Sequence, residues 1–258
     1  MTEPLPGGPG SLSVSRKLLR ILQTFDRSTD ALTLTQIARR SDLPTSTALR
    51  LLRDLCEAGF LERVERDYRI GGTMFELGML APFHTALREV ALPVMQDIQA
   101  ATAQNVHLGI LERGSVLVVQ QLTGRSAVPT PARVGGRLPA HSTAVGKALL
   151  AFADAEEVEP ILAAGLRRIT PHTIRDVDAM RRELAATRSR GWSSAEQENS
   201  MGTISVGAPV FGAQQTVVAA LSIVHPTGEA DQLHRYVHAL RTAANTISRT
   251  WLSRHPVH

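Results

Sequence analysis

Residues 33–63 read TLTQIARRSDLPTSTALRLLRDLCEAGFLER. Thr33 followed three positions later by Gln36 is a capping-box pattern, so a short helix is expected to begin near residue 34, just ahead of Ile37. Ser41 and Asp42 interrupt it. Pro44 then opens a second helix, where its missing N–H costs nothing because the first amides of a helix have no intrahelical acceptor. In that second helix Ala48, Leu51, Leu52 and Leu55 recur at helical spacing and form an apolar stripe. Thr45, Ser46, Thr47, Arg50 and Arg53 are left to face outward, and Gly59 is placed to end the helix. Two short helices, a tight turn, and an outward face of small hydroxyls and arginines describe a helix-turn-helix with its recognition helix.

On the N-terminal side, Leu18, Ile21, Leu22 and Phe25 predict a first helix over 13–26. On the other side FLERVERDYRI (60–70) alternates apolar and polar residues around a charged turn at Glu65 to Asp67, a small β-hairpin that would serve as a wing. Thr45, Ser46, Thr47 and Arg50 are expected in a major groove, with Arg50 the candidate for a bidentate contact to guanine. Arg39, Arg53, Arg63 and Arg66 are expected to touch backbone phosphates or the minor groove. This DNA-binding domain is assigned to residues 13–71, behind a Pro/Gly/Ser-rich tail at 1–12 that is expected to be disordered.

The texture then changes. Met74, Leu77, Gly78 and Ala81 share one face of a linker helix expected over 72–88, and its apolar face is expected to contact a second copy of the chain. From 89 to 258 the pattern alternates between helices and strands. NVHLGILE (105–112) and SVLVVQQL (115–122) flank a turn at Arg113-Gly114; TISVGAPVF (203–211) and TVVAALSIV (216–224) flank another at 212–215. HSTAVGKALLAFA, a capped segment ending at Gly191 and a last stretch from about 229 to 252 read as helices. The class is α+β in two domains, with helices around an antiparallel sheet in the second.

At 258 residues, with 43% hydrophobic content, the chain is long enough for two cores. No apolar run approaches the roughly 20 residues of a membrane span. The N-terminus lacks a signal-peptide pattern, so a cytoplasmic protein without a membrane partner is expected. The single cysteine, Cys56, excludes an internal disulfide framework and falls within a helical apolar pattern. A net charge of +4, nearly all the positive charge being arginine, permits an acidic partner without requiring one.

Four stretches together resemble the IclR family of bacterial regulators: LTLTQIARRSDLPTSTALRLLRDLCEAGFLER, the wing-closing YRIG, GGRLPAHSTAVGKALLA, and the run from Ile169 to Val210. The resemblance covers nearly the whole chain from residue 13. It implies a winged helix-turn-helix, a linker helix and a GAF-like effector domain, working as a homodimer or dimer of dimers on double-stranded operator DNA, with no cofactor. The resemblance also implies that the helix beginning near Ala144 lines an effector cavity. Unpaired amides and the helix dipole make such a terminus a cradle for a carboxylate.

In the family's small-acid sensors, backbone at the positions of Ala144 and Val145 and side chains at those of Ala195, Ser205, Ser222 and Val224 hold the ligand. Here Ala195, Gln197 and Val224 replace an Asp, a Glu and a hydroxyl common in the family, while Glu198, Ser205 and Ser222 remain polar. That balance implies a ligand less polar than glyoxylate or pyruvate, an aromatic or longer-chain acid. The function implied is a ligand-responsive regulator, a repressor in preference to an activator.

Enzyme motifs fail. HSTAVGKA resembles a phosphate-binding loop, but His141 stands where its first glycine should be and Ala148 replaces its Ser/Thr. His141 is read instead as a structural or pocket residue. No GxSxG elbow is present. His234 and His238 have metal-ligand spacing on the last helix but lack a third ligand.

Overall fold

Ser13 caps the first helix, α1 (Val14–Leu22), its hydroxyl accepting from the Arg16 amide at 3.3 Å. A computed structural model describes residues 12–26 and 30–255, so the tail expected over 1–12 lies outside the described residues except for its last position. Helix α1 stops short of the expected residue 26. The Thr24 hydroxyl and amide both turn back onto the Ile21 carbonyl, at 2.7 and 3.0 Å, and this local bonding replaces the next helical turn.

Leu32–Thr33 forms a two-residue strand, β1, which sequence periodicity is too short to reveal. Helix α2 (Leu34–Ser41) starts from a complete capping box: the Gln36 amide donates to Thr33 Oγ1, and the Gln36 side chain accepts from the Thr33 amide at 2.8 Å. It ends at Asp42 in the left-handed region (φ 55°), which Asp tolerates better than most residues. Helix α3 (Thr45–Glu57) follows from Pro44, with Ala48, Leu51, Leu52 and Leu55 buried as the stripe predicts. Strands β2 (Leu61–Val64) and β3 (Asp67–Ile70) make the hairpin, and β1 pairs with β3 on the other side. Ile21, Leu32, Ile37, Leu51, Leu52, Leu61 and Tyr68 close one core. Each such buried aliphatic side chain contributes on the order of 1.5–3 kcal/mol.

The linker expected as one helix over 72–88 is two: α4 (Gly72–Met79) and α5 (Pro82–Thr102). Pro82 explains the break. Its ring disfavours helical backbone at Ala81, and it is accepted as the first residue of a new helix. The chain divides into two compact units here, the first ending at Pro82 and the second beginning at Phe83.

In the second unit, β4 (Asn105–Glu112), β5 (Ser115–Leu122), β6 (Arg137–Pro139), β7 (Ser193–Glu196), β8 (Thr203–Phe211) and β9 (Val217–Pro226) form one antiparallel sheet in the order β6-β5-β4-β9-β8-β7. Period-two alternation splits its residues between two cores. Val106, Leu108, Val206, Leu221 and Ile223 pack with α5 and the last helix, α9 (Leu233–Arg254). The other face carries His107, Gly109, Ser205, Gly207 and Ser222 and is covered by α6 (Ala144–Phe152), with α7 (Ala155–Ala163) and α8 (Val177–Arg190) around it.

Candidate functional site

Two places bring functional chemistry together, one in each unit. In the first, Thr45, Ser46, Arg50 and Arg53 are exposed on α3 and Thr47 is half-buried. Arg39 is exposed on α2, and Arg63 and Arg66 are exposed on the wing. Arg39, Arg50, Arg53 and Arg66 make no ion pair among the described residues. Other arginines of this unit are occupied: Arg69 pairs with Glu62 at 2.9 Å, and Arg40 donates to the Thr24 carbonyl at 3.0 Å. Arg63 is braced, donating from Nε to the Glu65 carbonyl at 3.1 Å with its guanidinium 6.0 Å from the Tyr68 ring. The unit thus displays exposed guanidinium groups without an ion-pair partner among the described residues, together with small hydroxyls. That chemistry suits a phosphate backbone and base edges.

The second place is a pocket between the sheet and the start of α6, lined by residues of both. Close approach makes it. A Cβ on Gly207 would come within 2.5 Å of the Ala144 carbonyl oxygen, and one on Gly146 within 2.1 Å of the Ala140 carbonyl oxygen. Only glycine lets the helix end lie this near the strands. Thr143 caps α6, accepting from the Gly146 amide at 3.2 Å while its hydroxyl donates to the Pro139 carbonyl at 3.0 Å. Ser193 fixes the same end by donating to the Ala144 carbonyl at 2.6 Å. The amides of Ala144 and Val145, first in the helix, therefore stand at the cavity wall without an intrahelical acceptor.

Of the sequence-derived effector residues, Ala144, Val145, Ser205, Ser222 and Val224 line this cavity. His141, Ala195 and Glu198 do not line it. His141 is buried against the 167–170 turn, its Nε2 2.9 Å from the Arg167 carbonyl oxygen, and burial pushes its pKa below the ordinary value. Ala195 is buried on β7 opposite Ser205, whose hydroxyl donates to the Ala195 carbonyl at 3.4 Å.

Glu198 meets Lys147 of α6 at 2.5 Å, and Lys147 Nζ also donates to the Ser194 carbonyl at 3.1 Å. Both side chains are buried. Burial raises the Glu198 pKa, with the lysine charge opposing that rise. This pair ties α6 to the segment after β7, and its charges are spent on each other.

Sequence reasoning missed His107, Asn199 and Thr203 in the cavity wall, and the 130–132 loop that borders it. His107 had a signal: alternation along β4 puts it on the same face as Gly109, an odd position for an imidazole on a buried strand. Its register partner is Ser222, and Ser222 in turn faces Gly207. Among the described residues, the cavity wall contains no lysine, arginine, aspartate or glutamate.

A capped helix-turn-helix with a braced wing, followed by an α+β unit with a walled cavity, defines a DNA-binding transcriptional regulator. The model described as "Bacterial transcriptional regulator IclR C-terminal" matches residues 81–249, and that described as "IclR helix-turn-helix domain" matches 15–65. The chain belongs to the IclR family.

It is 33% identical to the HTH-type transcriptional regulator KdgR of Dickeya chrysanthemi over 245 residues, 93% of this chain and 80% of that protein. It is 31% identical to the HTH-type transcriptional repressor AllR of Klebsiella pneumoniae, over 89% of this chain and 86% of that one. Among solved structures, an IclR homolog from Microbacterium hydrocarbonoxydans complexed with 4-hydroxybenzoate superposes with a TM-score of 0.88 at 34% identity. It covers 93% of this chain and 100% of its own. These relatives are named as regulators, a non-enzymatic family, and the enzyme readings fall away. No helix among the described residues is long and apolar enough to cross a membrane.

Proposed function

We propose that this regulator is a repressor whose operator affinity is set by a small aromatic carboxylic acid held in the α6 cavity. The observation that carries the reading is the cavity itself: two free helix-terminal amides and several hydroxyls in a wall without charged side chains. Such donors hold a carboxylate through the helix dipole, and the apolar Pro131, Leu138, Val145 and Val224 suit a ring. The Microbacterium homolog, bound to 4-hydroxybenzoate, and the repressor name of the Klebsiella relative support it further.

On the DNA side, Thr45, Ser46, Thr47 and Arg50 read bases from α3, and Arg39, Arg53, Arg63 and Arg66 hold phosphates. The protein works as a homodimer or dimer of dimers through α4 and its C-cap, where Phe75, Leu77 and Leu80 are exposed by 72%, 50% and 73%. Leu77→Arg should weaken dimerisation in sedimentation, and a variant that stays dimeric removes α4 from that role.

The reading is tested by binding to the DNA upstream of the protein's own gene and to random DNA, at two salt concentrations, for wild type and Arg50→Ala. Sequence-selective, salt-sensitive binding that Arg50→Ala relaxes by about 1–3 kcal/mol at one base position is the expected result. Absence of any selective site in a genome-wide selection would contradict it.

A further inference from the structure

Among the described residues, buried side-chain atoms without a hydrogen-bond partner occur on Arg88, Gln104, Asn105, His107, Glu198 and His225. Only one of these six residues, His107, lines the α6 cavity. Its side chain is almost wholly enclosed, and Nε2 has no partner. Buried polar atoms in folded proteins are nearly always paired, and His107 is the pocket-lining residue among these whose buried nitrogen is left open to a partner.

The chemistry narrows what that occupant offers. Burial pushes the His107 pKa down to about 4, so the ring is neutral near pH 7. A neutral imidazole has one N–H and one bare nitrogen. A carboxylate suits only the first, whereas a hydroxyl, which both donates and accepts, suits either. The carboxylate is served elsewhere, by the amides at the start of α6. Ser222, paired in register with His107, adds a second hydroxyl-compatible group in the same row of the sheet.

We propose that His107 is the specificity-determining residue of the cavity and reads a ring hydroxyl, so that the effector is a hydroxylated aromatic acid. The inference rests on the aromatic-acid reading of the cavity. A site built to bond a hydroxyl discriminates against the analogue lacking it, because the analogue leaves the buried nitrogen unpaired.

The test is calorimetric titration of the full chain with benzoate, 3-hydroxybenzoate and 4-hydroxybenzoate, for wild type, His107→Leu and His107→Gln. The reading is the ratio of affinities between a hydroxylated acid and benzoate, which cancels general changes in cavity shape. Wild type should prefer at least one hydroxybenzoate by about five- to tenfold. His107→Leu should lose that preference, and His107→Gln, which keeps a donor and an acceptor, should recover part of it.

A preference that survives in His107→Leu overturns the role of His107 and leaves the aromatic-acid reading standing. A wild type that binds all three acids alike also overturns that role. A wild type that binds none overturns both. Should the leucine variant fail to fold, imidazole nitrogen resonances of the wild type decide the matter. The His107 signal should respond to the preferred hydroxybenzoate beyond its response to benzoate, and equal responses would reject the proposal.

Discussion

Helices α3 and α6 differ in where their chemistry sits. Helix α3 buries a stripe and displays the rest: Leu51 and Leu52 are fully enclosed while Arg50 and Arg53 project into solvent. Helix α6 is buried from Ala144 through Ala151, Lys147 included, and offers only its N-terminal end to the cavity. One helix displays full charges on an exposed face. The other presents the partial charges of its first amides at a pocket. Full charges suit the phosphate backbone, where neutralisation gives affinity that falls with salt. Partial charges suit a small ligand, since amides and hydroxyls orient it without the desolvation cost of a buried cation.

The contrast breaks most sharply at Lys147. Lys147→Met leaves Glu198 buried without its partner, and the expected loss of stability is about 3–5 kcal/mol. Urea unfolding followed through Trp192 and Trp251, both in the second unit, measures it. Lys147→Met combined with Glu198→Leu should recover much of the loss. A double variant as unstable as the single one would show that the pair is not what holds this end of the helix.

The next effect in size depends on pH. The folded-state pKa of His107 lies near 4, below the ordinary 6.5. Between those values the unfolded chain binds a proton that the folded chain excludes. Stability from this group is therefore complete above pH 6.5 and is lost as pH falls toward 4, by roughly 3 kcal/mol in all. His141 and His225, also lowered by burial, push in the same direction. The diagnostic quantity is thus the difference between wild type and His107→Leu. Wild type should lose more stability from pH 7 to pH 4.5 than the variant, and parallel losses would place the acid sensitivity elsewhere.

The smallest expected effect belongs to the exposed side of the comparison. Thr33→Ala removes the capping box of α2 and should cost about 1 kcal/mol, read by thermal unfolding in far-UV circular dichroism. Operator selectivity should persist, because Thr33 belongs to the support of α3 and not to its outward face. A change in preferred sequence would contradict that division.

The same contrast explains what the sequence could reveal. Amphipathic elements were legible: α2, α3 and the wing follow from a capping box, a stripe and a two-residue alternation. Strands β4, β5 and β8 fall where alternating runs predicted them. Helix α6 was legible as a helix, but burial on every side erases the periodicity that would orient it. Lys147 looked like part of a failed phosphate loop, and its partner lies 51 residues on, at Glu198.

Ala144, Val145, Ser205, Ser222 and Val224 came from resemblance to a family and meet at the cavity. Ala195 and Glu198, taken from the same stretch, point into backbone packing and an ion pair. His107 was hidden for the opposite reason. It joins the cavity only through register with β9, a pairing across more than a hundred residues.

The most direct test is linkage between the DNA-binding unit and the pocket of the second unit. Operator DNA is titrated with protein by fluorescence anisotropy, with and without saturating 4-hydroxybenzoate, and acid binding is measured with and without operator. With the two sites coupled, the acid should change operator affinity by a factor of about 5–150, and operator should change acid affinity by the same factor. Acid bound in the cavity with operator affinity unchanged would contradict it.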